Sequence, residues 1–292
     1  MIHPGPYLRR SPLEGIRWML PILAGWIVGC DDAVVGTSAP SAPTLRIAAA
    51  SDLQVVLPKL GASFQAIRGV GVQPTFLSSG VLARQIEQGA PFDLFLSADE
   101  SYVGNLARQG SIRPDSVRNY ARGSLALVIH RAVRTPIETL ADLARPEVKR
   151  IALANPETAP YGRAGKQALQ RSGLWESLQP RIVLAESVRQ ALHYAQKGEV
   201  EAALVGRAIA GVPDVRVLEV DPGLYDPIVQ AMGIVADSPR QQEAEAFANF
   251  VMSSEGQGVL KRFGFRPGGD ASKRVDPGRS SGGRQPDSKA IK

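Results

Sequence analysis

The stretch Phe76-Leu77-Ser78-Ser79-Gly80-Val81-Leu82-Ala83-Arg84-Gln85-Ile86 is the strongest constraint on how this chain folds. An apolar run ends in two hydroxyls and a glycine, and then Leu82 and Ile86 recur at helical spacing. That order predicts a strand, a tight turn and a helix N-terminus. The same order occurs earlier. Leu45-Arg46-Ile47-Ala48-Ala49-Ala50 predicts a buried strand, Ser51-Asp52 follow, and Leu53, Leu57, Leu60 and Phe64 then recur every three or four residues. Pro58 is confined to the first turns of that helix or kinks it. A helix start presents backbone N–H groups without intrahelical partners and carries partial positive charge, so serine at such a turn either caps the helix or helps to hold an anion. Both readings are open for Ser51, Ser78 and Ser79 on local grounds.

A third strand spans Asp93 to Asp99 behind Gly89-Ala90-Pro91, with a helix from Ser101 to Gln109. Strands alternating with helices predict a parallel, doubly wound sheet that binds ligands outside the carboxyl ends of its strands. Asp93 and Asp99 stand at opposite ends of one strand, which suits turn and cap residues better than a catalytic carboxylate pair. A second series follows: strands at Gly123 to Arg131, Arg150 to Ala154, Arg181 to Leu184 and Val200 to Gly206, with helices at Gly165 to Ser172 and Glu186 to Gln196. Another strand at Asp226 to Val235 and helices at Gln241 to Met252 and Glu255 to Phe263 complete the pattern. Two series of similar size predict an α/β fold of two lobes with a cleft between them, each lobe a mainly parallel sheet flanked by helices. The lobes are expected over 44–121 plus 232–267 and over 122–231.

The chain of 292 residues carries a formal charge of +6, but much of the excess lies at its ends, in Arg9, Arg10 and Arg17 and in Lys273, Arg274, Arg279, Arg284, Lys289 and Lys292. Between them the charges are mixed, without a basic helix or an aromatic-interleaved patch, which argues against a nucleic-acid binder. The apolar run Trp18 to Val28 is short for a membrane span and suits a secretory signal. Its ending, Ile27-Val28-Gly29-Cys30, resembles a bacterial lipoprotein signal in which the cysteine is lipidated. Cys30 is the single cysteine, so no disulfide forms within the chain. These features predict a signal peptide over 1–29, a tether over 30–43 and a folded part held by a lipid anchor on the periplasmic side of the cytoplasmic membrane. Residues 268–292, rich in Gly, Ser, Lys, Arg and Asp, are expected to be disordered.

Catalytic signatures are missing. There is no Gly-x-Ser-x-Gly elbow, Walker A sequence, dinucleotide glycine fingerprint or His-Glu-x-x-His. His3, His130 and His193 are isolated, so no metal-ligand spacing arises, and a serine-dependent hydrolase would lack its base. In the second lobe, Pro156-Glu157-Thr158-Ala159-Pro160-Tyr161-Gly162-Arg163-Ala164-Gly165 and Leu184-Ala185-Glu186-Ser187-Val188-Arg189 each join a strand to a helix. Each is a further N–H cradle or a plain helix start.

Ala48-Ala49-Ala50-Ser51, the run from Ser78 to Glu87, Gly89 to Asp99, Asn155-Pro156-Glu157, Glu186 to Leu192 and Arg262-Phe263-Gly264-Phe265 together resemble the molybdate-binding proteins of bacterial molybdate ABC importers. The resemblance covers about Leu45 to Arg266 and is most specific from Ser78 to Asp99. It implies a periplasmic-binding-protein fold closing on a tetrahedral oxyanion, molybdate or tungstate, held by neutral donors. Those donors would be the hydroxyls and N–H groups of Ser51 and Ser79 and the backbone N–H groups of Tyr161 and Val188, with Ser78 and Val205 as weaker candidates. It also implies an ABC permease as partner, a monomer, no cofactor and no catalysis. Val205 stands where the family places a tyrosine hydroxyl, and Tyr161 replaces a small residue, so Tyr161 is expected to compensate from the opposite wall. A dianion that only accepts hydrogen bonds suits a cage of neutral N–H and O–H groups, which leaves no acceptor for a protonated phosphate. Another oxyanion such as sulfate, for transport or for sensing, is the alternative within the same class.

Overall fold

The computed structural model describes residues 43–268. β1 (Thr44–Ala50) runs into a single 3-10 turn, Ser51–Leu53, and then α1 (Leu57–Arg68), where Pro58 occupies the first turn and removes no intrahelical bond. β2 (Gly71–Leu77) leads to α2 (Ser79–Glu87), and β3 (Leu94–Ser97) to α3 (Glu100–Arg108). β4 (Arg118–Gly123) is separated from β5 (Leu125–His130) by Ser124 alone. Then come β6 (Ile151–Ala154), α4 (Pro160–Arg171), the short α5 (Trp175–Leu178), β7 (Ile182–Ala185), α6 (Val188–Gln196), β8 (Ala202–Gly206) and β9 (Val215–Glu219). β10 (Ile228–Ile234), α7 (Gln241–Met252), α8 (Ser254–Arg262) and the two-residue β11 (Arg266–Pro267) finish the fold.

These strands form two sheets, ordered β11-β4-β10-β3-β1-β2 and β7-β6-β8-β5-β9, so the α/β arrangement in two lobes is present. The sheets are mixed where mainly parallel ones were expected. β1 is parallel to β2 and β3, and β6 to β7 and β8. β10 runs antiparallel to β3 and β4, and β5 antiparallel to β8 and β9. The difference has a topological cause. The strands reversed in these pairings are β5 and β10, each of which enters its sheet straight from a strand of the other sheet, β4 or β9, with no crossover helix to restore its direction. The passages fall at Ser124 and between Glu219 and Ile228, because Ile228 pairs with Gly123 and the whole of β10 belongs to the first sheet. That corrects the expected boundaries at 121/122 and 231/232.

Strand alternation builds the first lobe's core. Leu45, Ile47 and Ala49 of β1 pack with Leu57, Leu60 and Phe64 of α1 and with Phe247 and Val251 of α7, while Ala48 points to the other face with Leu82, Ile86, Val103 and Leu106. Phe64 and Phe247 meet edge to face at 5.0 Å. The buried Asp93 accepts hydrogen bonds from the Arg46 N–H and the Ser238 hydroxyl, each 2.7 Å, and Asp99 caps α3 by accepting from the Ser101 N–H at 2.8 Å. The expected signal peptide, Cys30, all of the tether but Pro43, and the tail after Gly268 lie outside the described residues. Among the described residues, no helix is long and apolar enough to cross a membrane.

Candidate functional site

Where the lobes meet, a small cavity of about 10 Å3 lies at the carboxyl end of β1. Ser51 and Asp52 line it directly after β1, Ser78 and Ser79 line it at the start of α2, Pro160 and Tyr161 at the start of α4, and Val188 at the start of α6. Three helix N-termini thus converge on one buried point, each with first-turn N–H groups that have no partner within the helix. Four sequence-predicted residues, Ser51, Ser79, Tyr161 and Val188, are brought together here, with Ser78 beside them. No Lys or Arg side chain lines the cavity. Among the described residues, no group of three or more His, Cys, Asp and Glu is placed to hold a metal ion.

The local geometry decides against the plain capping reading for the serine pair. Ser78 has the extended backbone of an N-cap (φ −70°, ψ 148°), yet its side chain makes no capping bond, and its buried Oγ has no hydrogen-bond partner. Ser79 Oγ accepts the Ala98 N–H at 3.0 Å, which orients the hydroxyl and leaves its hydrogen free to donate. In α6 the capping duty falls one residue before the cavity: Ser187 accepts from the Gln190 N–H at 3.3 Å, and Val188 follows as the first helical residue.

Tyr161 is seated by two glycines. A Cβ on Gly206 would approach the Tyr161 ring to 3.1 Å, and one on Gly123 would stand 2.0 Å from its hydroxyl, so the ring fills space that any larger residue would take. Its hydroxyl accepts from Gln230 Nε2 at 3.1 Å. Val205, by contrast, is buried in the second lobe's core, pairs with Ala126 and does not line the cavity. That corrects its candidacy: the strand end offers no hydroxyl, and Tyr161 packs beside the neighbouring Gly206.

Three further residues were not anticipated. Gln230 Nε2 also donates to Asp52 Oδ2 at 2.5 Å, and the Tyr120 hydroxyl lies 2.6 Å from Gln230 Oε1, so one buried network joins β4, β10, the turn after β1 and α4. Burial pushes the Asp52 carboxyl up to about 6, opposed by hydrogen bonding from Gln230 and Tyr161. Burial, reinforced by the Asp52 charge, pushes the Tyr120 and Tyr161 hydroxyls well above their ordinary range. The usable signal in the sequence was Gln230, a lone amide inside the apolar strand Ile228-Val229-Gln230-Ala231-Met232.

Contacts across the cleft hold the lobes together. The Gly80 N–H donates to the Thr158 carbonyl at 2.9 Å, and Arg163 reaches over to Asp99 at 2.6 Å and to the Tyr102 hydroxyl at 3.3 Å. At the passages between the lobes, the Leu125 N–H donates to the Tyr225 hydroxyl at 3.0 Å.

Two α/β lobes joined by paired strands and closed over a donor-lined cavity define a solute-binding protein. The chain belongs to the bacterial extracellular solute-binding protein family, whose profile matches residues 45–266. YvgL of Bacillus subtilis, which carries the provisional name of an ABC transporter substrate-binding lipoprotein, is 32% identical over 242 residues, covering 82% of this chain and 92% of its own. The molybdate-binding protein ModA of Rhodobacter capsulatus is 30% identical over 234 residues, covering 80% and 92%. Among solved structures, the periplasmic molybdate-binding protein of Azotobacter vinelandii superposes with a TM-score of 0.72 at 31% identity, over 76% of this chain and 98% of that one.

Proposed function

We propose that this chain is an extracytoplasmic lipoprotein that captures molybdate or tungstate and delivers it to an ABC importer, without catalysis and without a cofactor. The observation that carries this reading is the convergence of three helix N-termini and the Ser51, Ser78 and Ser79 hydroxyls on one cavity lined by no cationic side chain. Neutral dipoles fixed in a dry site stabilise a buried dianion while discriminating by hydrogen-bonding polarity. The names of the relatives support the choice of anion, and Cys30 supports the anchor. A hydrolase reading would lack a histidine base, since neither His130 nor His193 lines the cavity.

Capture proceeds by closure. Ser51, Ser78 and Ser79 come from the first lobe and Tyr161 and Val188 from the second, so the full donor set surrounds the anion only when the lobes meet. The permease then recognises the closed form. Thermal unfolding with molybdate, tungstate, sulfate, phosphate and chromate tests the reading, because a ligand that binds only the native state raises the melting temperature by mass action. Molybdate and tungstate are expected to raise it strongly and sulfate little. No shift with either metal oxyanion at millimolar concentration removes the proposal.

Ser79→Ala deletes one hydroxyl donor to a charged group and is expected to weaken molybdate binding by about 1.5 to 3 kcal/mol. Titration calorimetry reads this directly. An unchanged dissociation constant takes Ser79 out of the site.

A further inference from the structure

A carboxyl group has no evident place in a cage for a dianion, yet Asp52 lies in this one. It lines the cavity beside Ser51, Ser78 and Tyr161, it is 1% exposed, and its Oδ1 has no hydrogen-bond partner, whereas Oδ2 is held by Gln230. Ionised, it would oppose a bound dianion at close range in a water-poor site, an arrangement that raises the cost of one charge or the other steeply. Protonated, the same group becomes one more neutral O–H donor, and Oδ1 is the oxygen free to carry the hydrogen.

We propose that Asp52 is a specificity-determining residue whose carboxyl takes one proton from solvent when the oxyanion binds and donates it, as an O–H hydrogen bond from Oδ1, to the anion. The ligand of the closed site is then a tetrahedral dianion plus one proton. No covalent bond is made to the anion and nothing is oxidised; the proton moves from water to Asp52 on capture and returns on release. This inference rests on the oxyanion reading of the site.

The surroundings of Asp52 favour a proton over a counter-ion. The groups that face it are Gln230 of β10, Tyr161 of α4 and Tyr120 of β4, the last through Gln230, and all are neutral. Arg189 and His193 on the packed helix α6 are exposed, Arg207 after β8 pairs with Glu219 at 3.8 Å, and β2 carries no titratable side chain. The amide of Gln230 donates to Oδ2 while its Oε1 is taken by Tyr120, which holds the carboxyl in place and leaves Oδ1 buried without a partner. With the free carboxyl titrating near 6, a protein at pH 7.5 starts mostly ionised and must gain a proton as the site fills.

Titration calorimetry of the full protein with molybdate at pH 7.5, in buffers of differing ionisation enthalpy, counts that proton. About one proton taken up per anion is expected, with affinity rising about tenfold per unit as pH falls from 8 towards 6.5, a range in which molybdate stays a dianion. Asp52→Asn, which keeps a neutral donor of the same shape, is expected to bind with no proton uptake and no pH slope. Molybdate binding by the wild type without proton uptake overturns the role of Asp52 and leaves the anion assignment standing. Sulfate binding with one proton and no response to molybdate or tungstate overturns the anion assignment and keeps Asp52. If no oxyanion binds at any pH, both fall. The wild-type proton count decides the matter even if the variant does not fold.

Discussion

Replacing Gly80 with valine is expected to weaken oxyanion binding by about a hundredfold or more while leaving the ligand-free fold stable. Gly80 joins the lobes backbone to backbone beside the cavity: its N–H donates to the Thr158 carbonyl at 2.9 Å. A Cβ placed there would stand 3.0 Å from both the Thr158 Cα and its carbonyl oxygen, and 2.8 Å from the Tyr102 hydroxyl. The Tyr102 hydroxyl ends a long side chain and can shift; the Thr158 backbone, which enters α4 two residues later, cannot without moving the second lobe. Overpacking a rigid contact costs about 1–3 kcal/mol, and valine adds two methyl groups beyond the Cβ, so about 3 kcal/mol, on the order of a hundredfold, is the expected penalty. If capture works by closure of the lobes, the Gly80–Thr158 contact belongs to the closed state and the penalty falls there. Binding should therefore drop while the ligand-free melting temperature stays near the wild-type value. Unchanged molybdate affinity in Gly80→Val would show that capture does not depend on this closure.

The second large effect concerns stability against pH. The Asp52 carboxyl titrates at about 6 in the folded protein against an ordinary 3.8, so the folded state holds this proton more tightly than the unfolded chain does. The stabilisation is therefore complete below about 3.8, shrinks as pH rises, and is lost above 6. Roughly two pKa units correspond to about 3 kcal/mol. Wild-type protein without ligand is expected to lose about 2 kcal/mol of stability relative to Asp52→Asn between pH 4 and 8, with most of the change between pH 4 and 6. The lowered carboxyls of Asp115, Asp142 and Asp226 respond at more acid pH and are common to both proteins, as are the histidines, so the difference between the two curves isolates Asp52. Urea unfolding at intervals across this range supplies the measurement. Parallel curves for wild type and variant would mean that Asp52 is not held in the environment described.

Most of the helices and the strands leading into them were legible because their signal is local. Ile151 to Ala154 is apolar throughout and Leu45 to Ala50 is apolar but for Arg46, as suits strands covered on both faces, and the helices behind show apolar residues at three- and four-residue spacing. β4 escaped notice because Arg118-Asn119-Tyr120-Ala121-Arg122-Gly123 is polar at most positions, and β9 because Val215 to Glu219 is short and half exposed. Sheet direction was misjudged for a different reason. Which strand lies beside which depends on β10 returning from the second lobe between β3 and β4, a pairing that no window of sequence contains.

The site divides the same way. Ser51, Ser79, Tyr161 and Val188 sit at strand-to-helix turns, and turns of that kind cluster at one edge of a doubly wound sheet. The Asp52 network was not legible: its hydrogen bond to Gln230 spans 178 residues, and Ser51-Asp52 alone has the look of an ordinary helix start. Val205 was misplaced because strand alternation turns its side chain into the second lobe's core while the glycine after it meets Tyr161.

The placement of β10 also governs the order in which the chain completes itself. Every strand of the second sheet lies between Leu125 and Glu219, an uninterrupted segment, whereas the middle of the first sheet waits for Ile228 to Ile234 to fill the gap between β3 and β4. A chain emerging from its N-terminus can therefore finish the second lobe while the first still has an open seam. Folding that lobe brings Gly123 and Ile228, 105 residues apart in sequence (228 − 123), to adjacent positions in one sheet, shortening the loop that must close for the seam to seal.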